Sequence, residues 1–93
     1  MDEIYSRNPD VIFRKIADEF ILVPIRQKAV DFKCVYTLNG TAAFIWQSID
    51  SVRSISQIQG MVSDEFEVDV SRANSDVSEI MSLWESLSLI RKA

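Results

Sequence analysis

Between Leu38 and Asp50 the chain changes period, and that change constrains the fold more than any other feature of the sequence. A run of residues alternating in polarity reaches Asn39-Gly40 and gives way to a helical frame. In that frame Ala42, Ile45, Trp46 and Ile49 fall at i, i+3, i+4 and i+7, a stripe wide enough to be the hub of a small core. Asn39 is typed as the N-cap, because its side-chain oxygen can accept a hydrogen bond from a free amide of the first turn. Everything before this junction reads as sheet and everything after it as helix.

On the sheet side, Val11 to Ile16 and Glu19 to Ile25 are β-rich runs separated by Ala17-Asp18, the spacing of a tight hairpin without the usual glycine. Pro24 lacks an amide donor, which implies an edge position or the end of pairing. A third run, Phe32 to Leu38, follows the polar stretch Arg26 to Asp31. It turns Phe32, Cys34, Tyr36 and Leu38 to one face and Lys33, Val35 and Thr37 to the other. Three consecutive strands most simply form an antiparallel meander with the third at an edge. Residues 1–10, polar and containing Asn8-Pro9, read as a loosely held N-terminal tail, and residues 11–93 as one domain.

On the helical side, Ser54 and Gln57 have the spacing of a capping box, which starts a second helix whose apolar face is Ile58, Met61, Val62 and Phe66. Asp69 or Ser71 is available to cap a third helix. Its stripe is Ala73, Val77, Ile80, Met81, Trp84 and Leu87, ending near Ser88, after which Leu89-Ile90 tucks back. The expected fold class is α+β and winged-helix-like: an N-terminal three-stranded antiparallel sheet followed by three helices.

Composition then removes classes of function. With 93 residues and no histidine, there is room for one modest core and no imidazole for acid–base or metal work. The single cysteine, Cys34, cannot close an internal disulfide and reads as a small buried hydrophobe of the third strand. No catalytic pair, phosphate loop or metal cluster is present, so an enzyme is not expected, nor is a cofactor. Apolar runs are short and no charged-then-apolar stretch opens the sequence, so a cytoplasmic protein without membrane association is expected.

A helix–turn–helix raises a winged-helix nucleic-acid-binding alternative, and charge argues against it. Up to Leu38 six acidic residues balance six basic ones, whereas from Asn39 onward eight acidic residues face four basic. From Arg72 to Leu87 one cation stands against Asp76, Glu79 and Glu85, the wrong sign for neutralising phosphates. Only Leu89 to Ala93 remain for a following wing. No nucleic-acid partner is expected. A homo-oligomeric adaptor whose exposed strand pairs with itself is a further alternative, and monomer or homodimer stays open.

The string LNGTAAFIW at Leu38 to Trp46, Asp50, RSISQI at Arg53 to Ile58, Asp76-Val77 and LSLI at Leu87 to Ile90 together resemble the PQQ synthesis protein D (PqqD) family. These small peptide-binding domains are the RiPP recognition elements, and the likeness runs from about Val11 to Ile90. The family often has glycine where this chain has Ser51 and Ser88. The resemblance implies a non-catalytic chaperone that holds the leader of a ribosomally made precursor peptide and presents it to a modifying enzyme, often a radical SAM maturase. It also implies that the leader adds as a strand beside the third strand, in the groove against the third helix, which agrees with an edge strand being a template for β-augmentation. The corresponding candidate leader-binding residues are Lys33, Val35, Tyr36 and Thr37 on the strand and Asp76, Ile80, Leu83 and Leu87 on the helix. Leu83 falls outside the main stripe, on an acidic flank between Asp76 and Glu79, which suits a ligand side chain with a cation beside it. Core packing would explain Ile80 and Leu83 equally well, and Asp76 is also favourably placed in the early turns of a helix.

Overall fold

The computed structural model describes residues 2–26, 29–30 and 35–93. Its elements in chain order are β1 (Tyr5–Arg7), β2 (Val11–Ile16), β3 (Glu19–Arg26), β4 (Ala29–Val30), β5 (Tyr36–Leu38), α1 (Gly40–Ser48), α2 (Ile55–Phe66), α3 (Val70–Ser86) and β6 (Ile90–Lys92). The expected α+β order, a three-stranded antiparallel sheet and then three helices, is present. β3 is central: β2 pairs along one edge, from Val11 opposite Pro24 to Ile16 opposite Glu19. β4 pairs with Ile25 and Arg26, and β5 with Phe20, Ile21 and Leu22. Pro24 therefore lies in the central strand, at the end of its pairing with β2.

The β2–β3 hairpin turns at Ala17-Asp18, and Ala17 takes a positive φ of 54° in place of the missing glycine. Of the third run, Tyr36–Leu38 is strand and Val35 is not, while Lys33 and Cys34 lie outside the described residues.

The starts of α1 and α2 follow from their caps. The Asn39 side chain accepts the Ala42 amide at 2.8 Å, and Ser54 and Gln57 form the reciprocal box at 3.3 and 2.8 Å. Asp69 is the N-cap of α3 but makes no side-chain bond there. The chain leaves α2 through Glu67 at φ 51°, the left-handed conformation that ends helices.

The helices pack on one face of the sheet. Leu22 and Leu38 from the strands, Ala42, Ile45, Trp46 and Ile49 from α1 and its end, Ile58 and Val62 from α2, and Ala73, Val77, Met81 and Trp84 from α3 are all buried. The two tryptophans meet edge to face, with ring centroids 5.3 Å apart at 89°, a favoured arrangement for aromatic quadrupoles. The i, i+3, i+4, i+7 stripe of α1 is thus the hub that its period implied.

The N-terminal segment departs from the expectation of a loose tail. β1 pairs antiparallel with β6, Tyr5 opposite Lys92 and Arg7 opposite Ile90. The Ile4 carbonyl accepts the Ala93 amide at 2.8 Å, the Glu3 carbonyl accepts the Ile55 amide at 2.8 Å, and the Asp2 carboxylate accepts the Ser56 amide at 3.0 Å. The physical cause is Tyr5: its ring is buried, and burying it brings the flanking backbone against the end of the chain.

Candidate functional site

β4 and β5 both pair with β3 on the side away from β2, so β5 lies at an edge of the sheet. Among the described residues no strand pairs with its outer side. Which of its backbone groups face outward follows from one hydrogen bond. The Ile25 amide donates to the Asp10 carbonyl at 2.7 Å, so position 25 of β3 turns its backbone polar groups toward the β2 side. Antiparallel pairs alternate between bonded and non-bonded, so positions 23, 21 and 19 do the same, and Phe20 and Leu22 turn theirs toward β5. Leu38 and Tyr36 are therefore bonded to Phe20 and Leu22, and Thr37 directs its N–H and C=O to the open edge. Side chains alternate in the opposite sense. Tyr36, half-buried, and Leu38, buried, face the helices, while Thr37 is exposed on the outer face beside Ile21.

Helix α3 supplies the facing wall. Its buried residues Ala73, Val77, Met81 and Trp84 define one side of the cylinder. Asp76, Ile80, Leu83 and Leu87 lie within an arc of about 60°, rotated roughly 90° from the buried side at 3.6 residues per turn. Leu83 is 54% and Leu87 38% exposed, so two large apolar side chains on this face are left uncovered among the described residues. Ile80 is half-buried and lies between the two faces.

Two cavities border this face of α3, one at the start of α1 and one beneath the β2–β3 side of the sheet. One of about 470 Å³ is lined by Asp76, Glu79, Ile80 and Leu83 from α3, with Arg72, and by Asn39, Thr41, Ala42 and Ile45 at the start of α1. The other, about 170 Å³, brings Tyr36 together with Leu87, Ser88 and Leu89 at the end of α3, with Pro24 and Ile25 of β3, and with Asn8, Asp10 and Val11 at the start of β2. Of the eight candidates, Asp76, Ile80 and Leu83 share the first cavity and Tyr36 and Leu87 share the second. Thr37, exposed on the strand, and Val35, exposed just before it, line neither, and Lys33 lies outside the described residues.

Asn39, Thr41 and Arg72 line the first cavity without having been singled out for it. For Asn39 and Thr41 the signal is tertiary, because the start of α1 meets α3 only once the chain is folded, whereas Arg72 lies on α3 itself, four residues before Asp76. Glu79 was visible on the helical wheel as the flank of Leu83.

Charge in the first cavity is net negative. Arg72 reaches Asp76 at 3.8 Å, a long and exposed pair of small energetic weight. Glu79 makes no ion pair among the described residues. Among the described residues the arrangement contains no nucleophile with an activating base. What it offers is backbone hydrogen bonding along one side, an apolar ridge along the other and carboxylates at one end.

Away from the groove, two carboxylates hold turns. The Asp50 carboxyl is kept below the usual carboxylate range by the amides of Arg53 and Val52, which donate to it at 2.8 and 3.0 Å. Asp2 is lowered chiefly by the Ser56 amide. Burial pushes the Tyr5 phenol up, and the nearby Glu85 charge adds to the shift. No helix among the described residues is long and apolar enough to cross a membrane.

Three comparisons bear on the fold and its class. No curated protein matches the sequence. The solved structure of TbiB1 in complex with the TbiA(beta) leader peptide is similar in fold, with a TM-score of 0.74 over 92% of this chain and 94% of that one, at 16% sequence identity. The family model for coenzyme PQQ synthesis protein D matches residues 14–90, and the chain therefore belongs to the PqqD family.

Proposed function

We propose that the protein is a non-catalytic peptide-binding chaperone. It takes the leader segment of a ribosomally made precursor as an added strand on β5 and presents the remainder to a modifying enzyme. The observation that carries this reading is an outward-facing Thr37 backbone on the strand edge together with exposed Leu83 and Leu87 on the helical wall, each beside a cavity. An extended peptide satisfies both at once: its amides and carbonyls meet the strand edge, and alternate side chains fall against the helix. The leader peptide bound by TbiB1, a protein of similar fold, supports the same assignment.

The candidate residues take distinct roles. Thr37 supplies backbone pairing, with Lys33 and Val35 continuing it. Tyr36 and Leu87 contact one leader side chain, Leu83 and Ile80 the next, and Asp76 a cation beside them. A complex near micromolar, about −8 kcal/mol, is within reach of such a strand and would still release its product. The enzyme served is proposed to be a radical SAM maturase, acting in the cytoplasm.

Titration with the precursor encoded nearest to the gene tests this. Binding should survive removal of the core segment and vanish on removal of the leader, and the adjacent enzyme should modify the core efficiently only when this protein is added. Affinity that follows the core segment, or an absence of binding, would refute the assignment.

A further inference from the structure

The helical wall fixes more than the presence of an extended ligand: its spacing dictates a pattern of side chains. Glu79, Leu83 and Leu87 are at i, i+4 and i+8, a single ridge of α3 whose members are separated by about 6 Å at 1.5 Å rise per residue. An extended strand advances about 6.6 Å for every two residues, and those two point the same way. The two repeats match, so a strand laid along this ridge brings every second side chain against one ridge residue. Two of the ridge residues are exposed leucines and the third is a carboxylate without an ion-pair partner among the described residues.

The order along the strand follows from which residues share a cavity. Tyr36 lies with Leu87, and Asn39, three residues further along, lies with Leu83 and Glu79. β5 and α3 therefore run in opposite directions across the gap. A ligand antiparallel to β5 runs with α3, meeting Glu79 first, then Leu83, then Leu87. Its two helix-facing residues nearest Thr37 stand opposite Leu38 and Tyr36, flanking the residue that bonds to Thr37.

We infer that this protein selects leaders carrying the pattern cation, any residue, apolar, any residue, apolar, read from N- to C-terminus in an extended segment. Glu79, assisted by Asp76, takes the cation, and Leu83 and Leu87 take the two apolar side chains. The inference rests on the strand-addition reading and adds specificity to it. Arg72 lines the same cavity and reaches Asp76 at 3.8 Å, so Glu79 is the cavity's carboxylate without an ion-pair partner among the described residues. The outer-face residues of the segment lie beside Thr37 and Ile21 and are less restricted.

The test is selection of random twelve-residue peptides displayed against the full chain, run in parallel on the native protein, on Glu79→Lys and on Thr37→Pro. The expected result on the native protein is enrichment of lysine or arginine two residues before the first of two apolar residues spaced i, i+2. In a synthetic peptide of that pattern, replacing the cation by glutamate should weaken binding about tenfold. On Glu79→Lys the enriched cation should give way to aspartate or glutamate while the apolar pair is kept. Peptides enriched without a charge preference, or with the apolar residues at another spacing, would overturn the inference while leaving strand addition intact, provided they are lost on Thr37→Pro. Peptides whose enrichment is unchanged on Thr37→Pro, or no enrichment on any variant, would overturn both.

Discussion

Replacing Thr37 by proline separates the open edge from the fold, because the amide it removes is the one that faces away from β3. A leader carbonyl paired with that amide contributes about 0.5–1.5 kcal/mol, and leaving the carbonyl buried and unpaired in the complex costs about 1–3 kcal/mol. The proline ring also projects into the space that the leader backbone would occupy. Together these amount to roughly 1.5–4.5 kcal/mol, a loss of about ten- to a thousandfold in affinity at 1.4 kcal/mol per decade. The ladder bonds of Tyr36 and Leu38 are untouched, so thermal unfolding should move by only a few degrees. Tyr36→Pro is the counterpart: it deletes an amide bonded to Leu22 and should destabilise the protein itself. Fluorescence anisotropy with a labelled leader, alongside calorimetry of each variant, reads both quantities. Equal affinity for native protein and Thr37→Pro would refute the reasoning, as would a Thr37→Pro variant that loses binding only because it unfolds.

Other consequences follow from particular residues. Leu83→Asp should abolish leader binding yet leave the melting temperature nearly unchanged, since the side chain is more than half exposed, and calorimetry with and without leader checks this. Ser51 and Ser88 sit at φ 68° and 60°, where glycine is relieved of a Cβ clash, so Ser88→Gly should stabilise by about 1 kcal/mol in urea unfolding. Asp50 has its folded pKa lowered, so its contribution is present above the unfolded carboxylate range and lost as pH falls through the lower folded value. The stability difference between native protein and Asp50→Ala should therefore shrink below about pH 4. Tyr5 has its pKa raised, so its contribution is full below about pH 10 and lost as pH rises through the folded value, and Tyr5→Phe should remove that alkaline destabilisation.

Where the chain carries several turns of consistent period, its structure was legible in the residues. The change at Asn39, the Ser54–Gln57 box and the stripe of α3 each rest on local rules; α1 and α2 begin where their caps place them, and α3 begins after Asp69, one of the two caps the sequence left open. β1 and β6 were not legible, because three-residue strands such as Tyr5–Arg7 carry no period and form only when distant ends of the chain meet. The hairpin at Ala17 lacked its glycine signal and formed through a strained alanine instead. For the groove, the helical wheel already separated Leu83 from the core side of α3. It could not reveal that Asn39 and Thr41 would close the same cavity, nor that Val35 would fall outside the strand.

The most direct measurement is amide hydrogen exchange at Thr37, with and without leader peptide. An outward N–H on an uncovered edge should exchange rapidly in the free protein, while Tyr36 and Leu38 exchange slowly, and it should become protected when the leader binds. A Thr37 amide already protected in the free protein, or still unprotected in the saturated complex, would contradict strand addition at β5.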